Sequence, residues 1–144
     1  MSDQLSEFLD VAVGDVKMPV DLPTGTYKFV VQRYSVERAD NQNKTVYVLA
    51  SLKPIEVQDA EDDVDLNNVR NIQHKFWHTD KADKIMVRFL TKALKLEAKP
   101  ETLLSQLWEQ ALGVEVIGQV KTEVKQGKNG PYTEINIERF FPAD

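Results

Sequence analysis

The sequence predicts a mainly β domain that carries a helical insertion. Three runs rich in aromatic and β-branched residues occupy the first half, and two period-two segments meeting at an Asn-Gly close the chain. Between the two groups, apolar residues recur at helical spacing. With 144 residues, 42% of them apolar, the chain amounts to one domain. A chain of this length hides roughly 70% of the surface its unfolded form exposes, so a core needs no covalent staples.

Residues 1–22 scatter Asp3, Glu7, Asp10, Asp15 and Asp21 among apolar residues without a sustained period. They are expected to form a flexible acidic arm ahead of a domain spanning 23–144, entered at Leu22-Pro23-Thr24-Gly25. Thr26 to Glu37 reads as the first strand, Arg38 to Asn43 as a turn and Thr45 to Ile55 as the second strand, with Pro54 marking an edge or a bend. Glu56 to Asn68, holding Glu56, Asp59, Glu61, Asp62, Asp63 and Asp65, is expected to be an exposed acidic loop. Val69 to His78 resumes strand chemistry.

Thr79-Asp80 then supplies a helix N-cap. Ile85, Met86, Phe89, Leu90, Ala93 and Leu94 form one helical face opposite Lys84, Arg88, Lys92 and Lys95. Pro100 begins a second helix, whose stripe of Leu103, Leu104, Leu107, Trp108, Ala111 and Leu112 stops at Gly113. On that stripe Trp108 is a core residue. Val114 to Lys125 and Tyr132 to Phe141 alternate as a hairpin around Asn129-Gly130, where both residues tolerate positive φ. Three strands, a helical insertion and a two-strand hairpin is the order of the OB-fold, a five-stranded Greek-key barrel with helices between strands 3 and 4. Short mixed α+β domains with other strand orders share the pattern.

The absence of cysteine excludes disulfides and thiolate metal sites. No run approaches the roughly 18 apolar residues of a membrane span, and Met1 to Asp10 lacks the basic start and apolar middle of a signal peptide, so the expected location is the cytoplasm. The net charge of −5 conceals segregation: residues 70–99 are basic, while those on either side are acidic. Such segregation steers an anion to one face, although a solvated helix face accounts for many lysines equally well. Phosphate-loop, dinucleotide, nucleophile-elbow and zincin motifs are absent, and no cofactor is expected. His74 and His78 share a helix face only if the segment is helical; in a strand they stand about 13 Å apart, which argues against a metal pair. The acidic loop lacks the glycine spacing of an EF-hand.

Binding chemistry is better represented. Alternation leaves Asn71, Gln73, Lys75 and Trp77 on one face of the third strand, opposite Ile72 and Phe76. By the same parity Tyr34 joins Lys28 and Gln32, and Tyr47 joins Thr45, Ser51 and Lys53. Each of the three strands thus pairs an aromatic with a Lys. Rings that stack on bases, interleaved with cations that neutralise phosphates, are how single-stranded nucleic acid is bound without sequence preference. Tyr34, Tyr47 and Trp77 are the candidate platforms, with Tyr132 a further one. Lys28, Arg33, Lys53, Lys75, Lys121, Lys125 and Lys128 are the candidate phosphate contacts, Lys128 lying in the hairpin where such barrels extend their groove. Aromatics are common in strands, however, and packing at the core or rim accounts for each ring taken singly.

Several short patterns carry a family resemblance. They are Leu22-Pro23-x-Gly25-x-Tyr27, the Thr45-Val-Tyr-Val-Leu49 strand, Phe76-Trp77, a Leu-rich helix closing in Ala111-Leu-Gly113, Val116-x-Gly118-x-Val120, and Asn129-Gly130-x-Tyr132-x-x-Ile135. From about Leu22 to Ala143 the chain resembles the small phage-encoded single-stranded-DNA-binding proteins of the OB-fold type. The resemblance implies a non-enzymatic protein of the host cytoplasm that coats single-stranded DNA in replication, recombination or repair. Phe140 to Asp144 is not the long acidic tail with which bacterial relatives recruit partners. The arm, with Glu7, Phe8, Leu9 and Asp10, is then expected either to mimic DNA or such a tail and cover the basic groove, or to dock replication or recombination proteins. The rival from another class is a protein-interaction or phage-structural OB module whose aromatics form a homo-oligomer interface; a small-molecule or metal-dependent enzyme is weaker still. No feature addresses the 2′-hydroxyl that separates RNA from DNA.

Overall fold

The computed structural model describes residues 18–40, 42–60 and 62–143. Five strands, β1 (Gly25–Arg38), β2 (Val46–Ala60), β3 (Ile72–Trp77), β4 (Glu115–Gly127) and β5 (Gly130–Pro142), form one antiparallel sheet in the order β3-β2-β1-β4-β5. In chain order, helix α1 (Asp80–Arg88), its π-helical continuation Phe89–Ala93 and helix α2 (Leu104–Ala111) fall between β3 and β4. The Thr79 hydroxyl accepts the Ala82 N–H at 3.1 Å, capping α1. Among the described residues no backbone ladder joins β3 to β5, so the sheet is not closed. Side chains bridge the seam instead: the Phe140 ring lies 5.2 Å from His74 and 4.6 Å from Phe89, centroid to centroid.

The inner face of the sheet supplies Tyr27, Phe29, Val31, Ala50, Leu52, Ile72, Phe76, Val116 and Val120 to the core, and the helices close over it with Met86, Phe89, Leu90, Leu107 and Trp108. Leu22, assigned to the arm by the sequence, is fully buried and its carbonyl accepts the Thr122 hydroxyl at 2.6 Å. Val20 forms a parallel bridge to Val69. The apolar side chain of Leu22 is therefore part of the domain, and the rest of the predicted arm, residues 1–17 with Glu7, Phe8, Leu9 and Asp10, lies outside the described residues.

Bulges set which side chains reach which face. On β1, Val31 opposes Leu52 and Arg33 opposes Ser51, so Gln32 is extra and the alternation inverts beyond it. On β2, Phe29 opposes Pro54 and Lys28 opposes Glu56, which puts the extra Ile55 beside the proline, where a missing N–H does least harm. Past that bulge β2 runs on to Ala60, so Glu56 to Ala60 is strand rather than the expected loop; pairing with Gly25 to Lys28 outweighs its acidic composition. The second helix begins at Leu104 instead of Pro100, because Lys99 and Thr102 close a turn of their own in which the Thr102 hydroxyl accepts the Lys99 N–H at 2.9 Å. In the β4–β5 hairpin the turn residues are Lys128 and Asn129, with Gly130 alone taking positive φ, +112°.

Gly118 packs beneath the fully buried Phe29: a Cβ at this position would sit 2.9 Å from that ring and 3.3 Å from an Ile137 methyl. Gly118→Ala is expected to destabilise the domain by about 1–3 kcal/mol, measured as a lower urea midpoint with unchanged denaturant slope.

Candidate nucleic-acid interface

Ile72, His74 and Phe76 point inward from β3, so Gln73, Lys75 and Trp77 form its outer side; on β2, Val48, Ala50 and Leu52 point inward and Tyr47, Leu49 and Lys53 outward, while Ser51, on the outer side by parity, is itself buried. The register between these strands has no bulge from Tyr47 to Leu52, and Tyr47 stands directly opposite Trp77. Their ring centroids are 4.9 Å apart at 51°. Lys75 Nζ lies 5.0 Å from the Tyr47 ring centre and 5.6 Å from that of Trp77. The cation is thus held against two half-buried rings whose quadrupoles attract it.

From this cluster a strip runs diagonally across the sheet. Leu49 opposes Lys75, Ser51 opposes Gln73, and Arg33 on β1 opposes Ser51. Gln73 Nε2 donates to Ser51 Oγ at 3.2 Å. A shallow depression of about 310 Å³ lies among Arg33, Ser35, Leu49, Ser51 and Gln73. Lys53 continues the line on β2, six positions from Tyr47, or roughly 20 Å along the strand. Neither Arg33 nor Lys53 is ion-paired among the described residues. Glu37, opposite Tyr47 and accepting from the Ser35 hydroxyl at 3.2 Å, also borders this strip. Leu49, Ser35 and Glu37 were not singled out by sequence; β2 parity alone puts Leu49 beside Tyr47, whereas Ser35 and Glu37 reach this face only through the Gln32 bulge.

Of the other predicted residues, Lys28 is on the outer side of β1, and Tyr34 and the hairpin residues lie elsewhere. Tyr34 does not share a face with Lys28. The bulge turns it inward against Trp108, ring centroids 5.6 Å apart, and its hydroxyl donates to Glu109 Oε1 at 2.7 Å, which raises its pKa. Lys28 is tied to Glu56 at 3.5 Å. Lys121 pairs with Glu123 at 3.0 Å and Lys125 with Glu134 at 2.8 Å; these hydrogen bonds raise both lysine pKa values and lower that of Glu134. Tyr132 opposes Lys125 and Lys128 occupies the turn. By register this hairpin end projects past Gly25, away from the Arg38–Val46 end of the sheet that carries the aromatic pair.

Of the basic residues between Arg70 and Lys99, Lys75 is the one on the outer face of β3. Arg88 and Lys92 instead border a cavity of about 500 Å³ at the β3/β5 seam, together with Arg139 and over Phe89 and Phe140. His74 is enclosed by Phe76 and Phe140, and His78 Nδ1 meets Asp83 at 3.0 Å, so the two imidazoles face different surroundings. Among the described residues no cluster of His, Asp or Glu is arranged to hold a metal ion, and no helix is long and apolar enough to cross a membrane. No protein-family model and no curated protein matches the chain.

Proposed function

We propose that this protein binds and coats single-stranded DNA through the outer face of β1, β2 and β3. The observation that carries this reading is the Tyr47–Trp77 pair with Lys75 lying against both rings. The two half-buried rings supply stacking that any base satisfies, and Lys75, Arg33 and Lys53 supply positive charge along the same strip. Little sequence preference follows, because neither a ring face nor a phosphate distinguishes one base from another. The strand order supports an OB barrel opened along the β3/β5 seam, a fold whose strand 2 and 3 face is the usual oligonucleotide surface. The role assigned on this reading is protection of single strands in phage replication, recombination or repair, with partner proteins engaged through the acidic arm.

Titration with oligo-dT, followed by tryptophan fluorescence at several salt concentrations, tests it. Trp77 is expected to be quenched, and log affinity to fall with log salt at a slope of about −2 if Arg33, Lys53 and Lys75 are the phosphate contacts. A slope nearer about −5 would add Lys28, Lys121, Lys125 and Lys128 to them. No quenching at low salt by a folded protein overturns the proposal, and duplex competitor measures strand preference.

A further inference from the structure

β3 and β5 end the sheet and flank its open seam. Every link in the order β3-β2-β1-β4-β5 is antiparallel, which leaves β3 and β5 running in the same direction. Across the seam the Phe140 ring stands 5.2 Å from His74 and 6.4 Å from Phe76, centroid to centroid. With the strands parallel, that contact brings Arg139 level with Gln73 to Lys75 and Phe141 level with Lys75 to Trp77.

Phe140 points inward, so by alternation Arg139 and Phe141 point outward. Their partners on β4 agree. Phe140 opposes Gly118, which packs beneath Phe29, whereas Phe141 opposes Ile117, itself opposite Lys28 on the outer side of β1. Phe141 is 41% exposed, and Arg139 is exposed and has no ion pair among the described residues. Lys75 and Trp77 have the same spacing on β3, so each flank of the seam presents a cation and, two positions on, a ring. The strip of Arg33, Ser51 and Gln73 crosses β1 and β2 and leaves the sheet at the β3 edge, where the next strand met is β5. Arg88, Lys92 and Arg139 line the cavity at this seam against one carboxylate, Glu138, a balance that favours an anion.

We propose that the bound single strand crosses the β3/β5 seam, with Phe141 stacking on a base beyond those held by Tyr47 and Trp77 and Arg139 contacting a phosphate. A phenyl face accepts any base, and the guanidinium adds one phosphate contact. The inference rests on the single-strand reading and lengthens its track by a second cation and ring.

Anisotropy of a labelled oligo-dT measures the affinity. Phe141→Ala is expected to weaken it by at least about fivefold at fixed salt. Arg139 as a fourth contact steepens the wild-type salt slope from about −2 to about −3, and Arg139→Gln should return it to about −2. Phe141→Trp in a Trp77→Phe background reads the contact directly: oligo-dT should quench the introduced tryptophan, with Trp77→Phe alone as the control. Wild-type affinity in folded Phe141→Ala, an unchanged slope in Arg139→Gln, or no added quenching by an oligonucleotide that still binds would each overturn the seam crossing while single-strand binding stands. If the wild-type protein binds no oligo-dT at low salt, the single-strand reading fails and the crossing falls with it. Should Phe141→Ala not fold, the Arg139→Gln slope and the introduced tryptophan decide.

Discussion

Trp77→Ala is expected to weaken oligo-dT binding by about 5- to 160-fold at fixed salt, the range that loss of one base–aromatic stack of about 1–3 kcal/mol produces. Tyr47→Ala should fall in the same range, and the double variant should lose less than the product of the two, because the rings touch and share a site. Folding stability should change by only about 1 kcal/mol, as both rings stand on the outer face of the sheet and contribute mainly a cross-strand pair. Anisotropy of a labelled oligonucleotide measures the affinity after the reporting tryptophan is gone. Salt separates stacking from charge: Trp77→Ala should leave the salt slope unchanged, whereas Lys75→Ala should reduce its magnitude by about 0.7. Trp77→Ala binding as tightly as wild type would remove the aromatic pair from the interface. A variant that instead changed the mass by light scattering would favour the oligomer-interface reading.

The parts of this face that were legible in the sequence are those where strand parity runs unbroken. Between Tyr47 and Leu52, and between Ile72 and Trp77, the register has no irregularity, and alternation correctly puts Tyr47, Lys53, Lys75 and Trp77 outside. Tyr34 was misassigned because a bulge at Gln32 inverts the parity of β1 beyond it. A bulge is a relation between two strands, and Gln32 carries no mark of it. The same limit applies to Glu56 through Ala60, where composition reads as loop until a partner strand is known to lie alongside. Trp108 was legible as core from its leucine stripe, but the lack of an acceptor for its Nε1–H among the described residues was not, since satisfaction of a donor depends on neighbours distant in sequence.

The inner face of β3 makes the protein sensitive to mild acid. Burial beside Phe76 and Phe140 lowers the His74 pKa to about 4, against about 6.5 in an unfolded chain. Between those values the unfolded state binds a proton that the folded state refuses, so stability rises with pH across the window. The contribution is complete above about pH 6.5 and is lost as pH falls to about 4, for a total of about 3 kcal/mol. Arg88, Lys92, Glu138 and Arg139 line the cavity that His74 shares, and the three cations make a fourth positive charge there no easier to accept. Urea midpoints of the wild-type protein should therefore fall steeply from pH 7 to pH 5, a range in which most carboxylates remain ionised. His74→Phe, which keeps a ring between Phe76 and Phe140, should flatten that dependence. An unchanged slope in folded His74→Phe would assign the acid sensitivity to other groups. Because β3 carries Lys75 and Trp77 on its opposite side, acid that loosens His74 at the open seam should also lower oligo-dT affinity, and His74→Phe should restore part of it at pH 5.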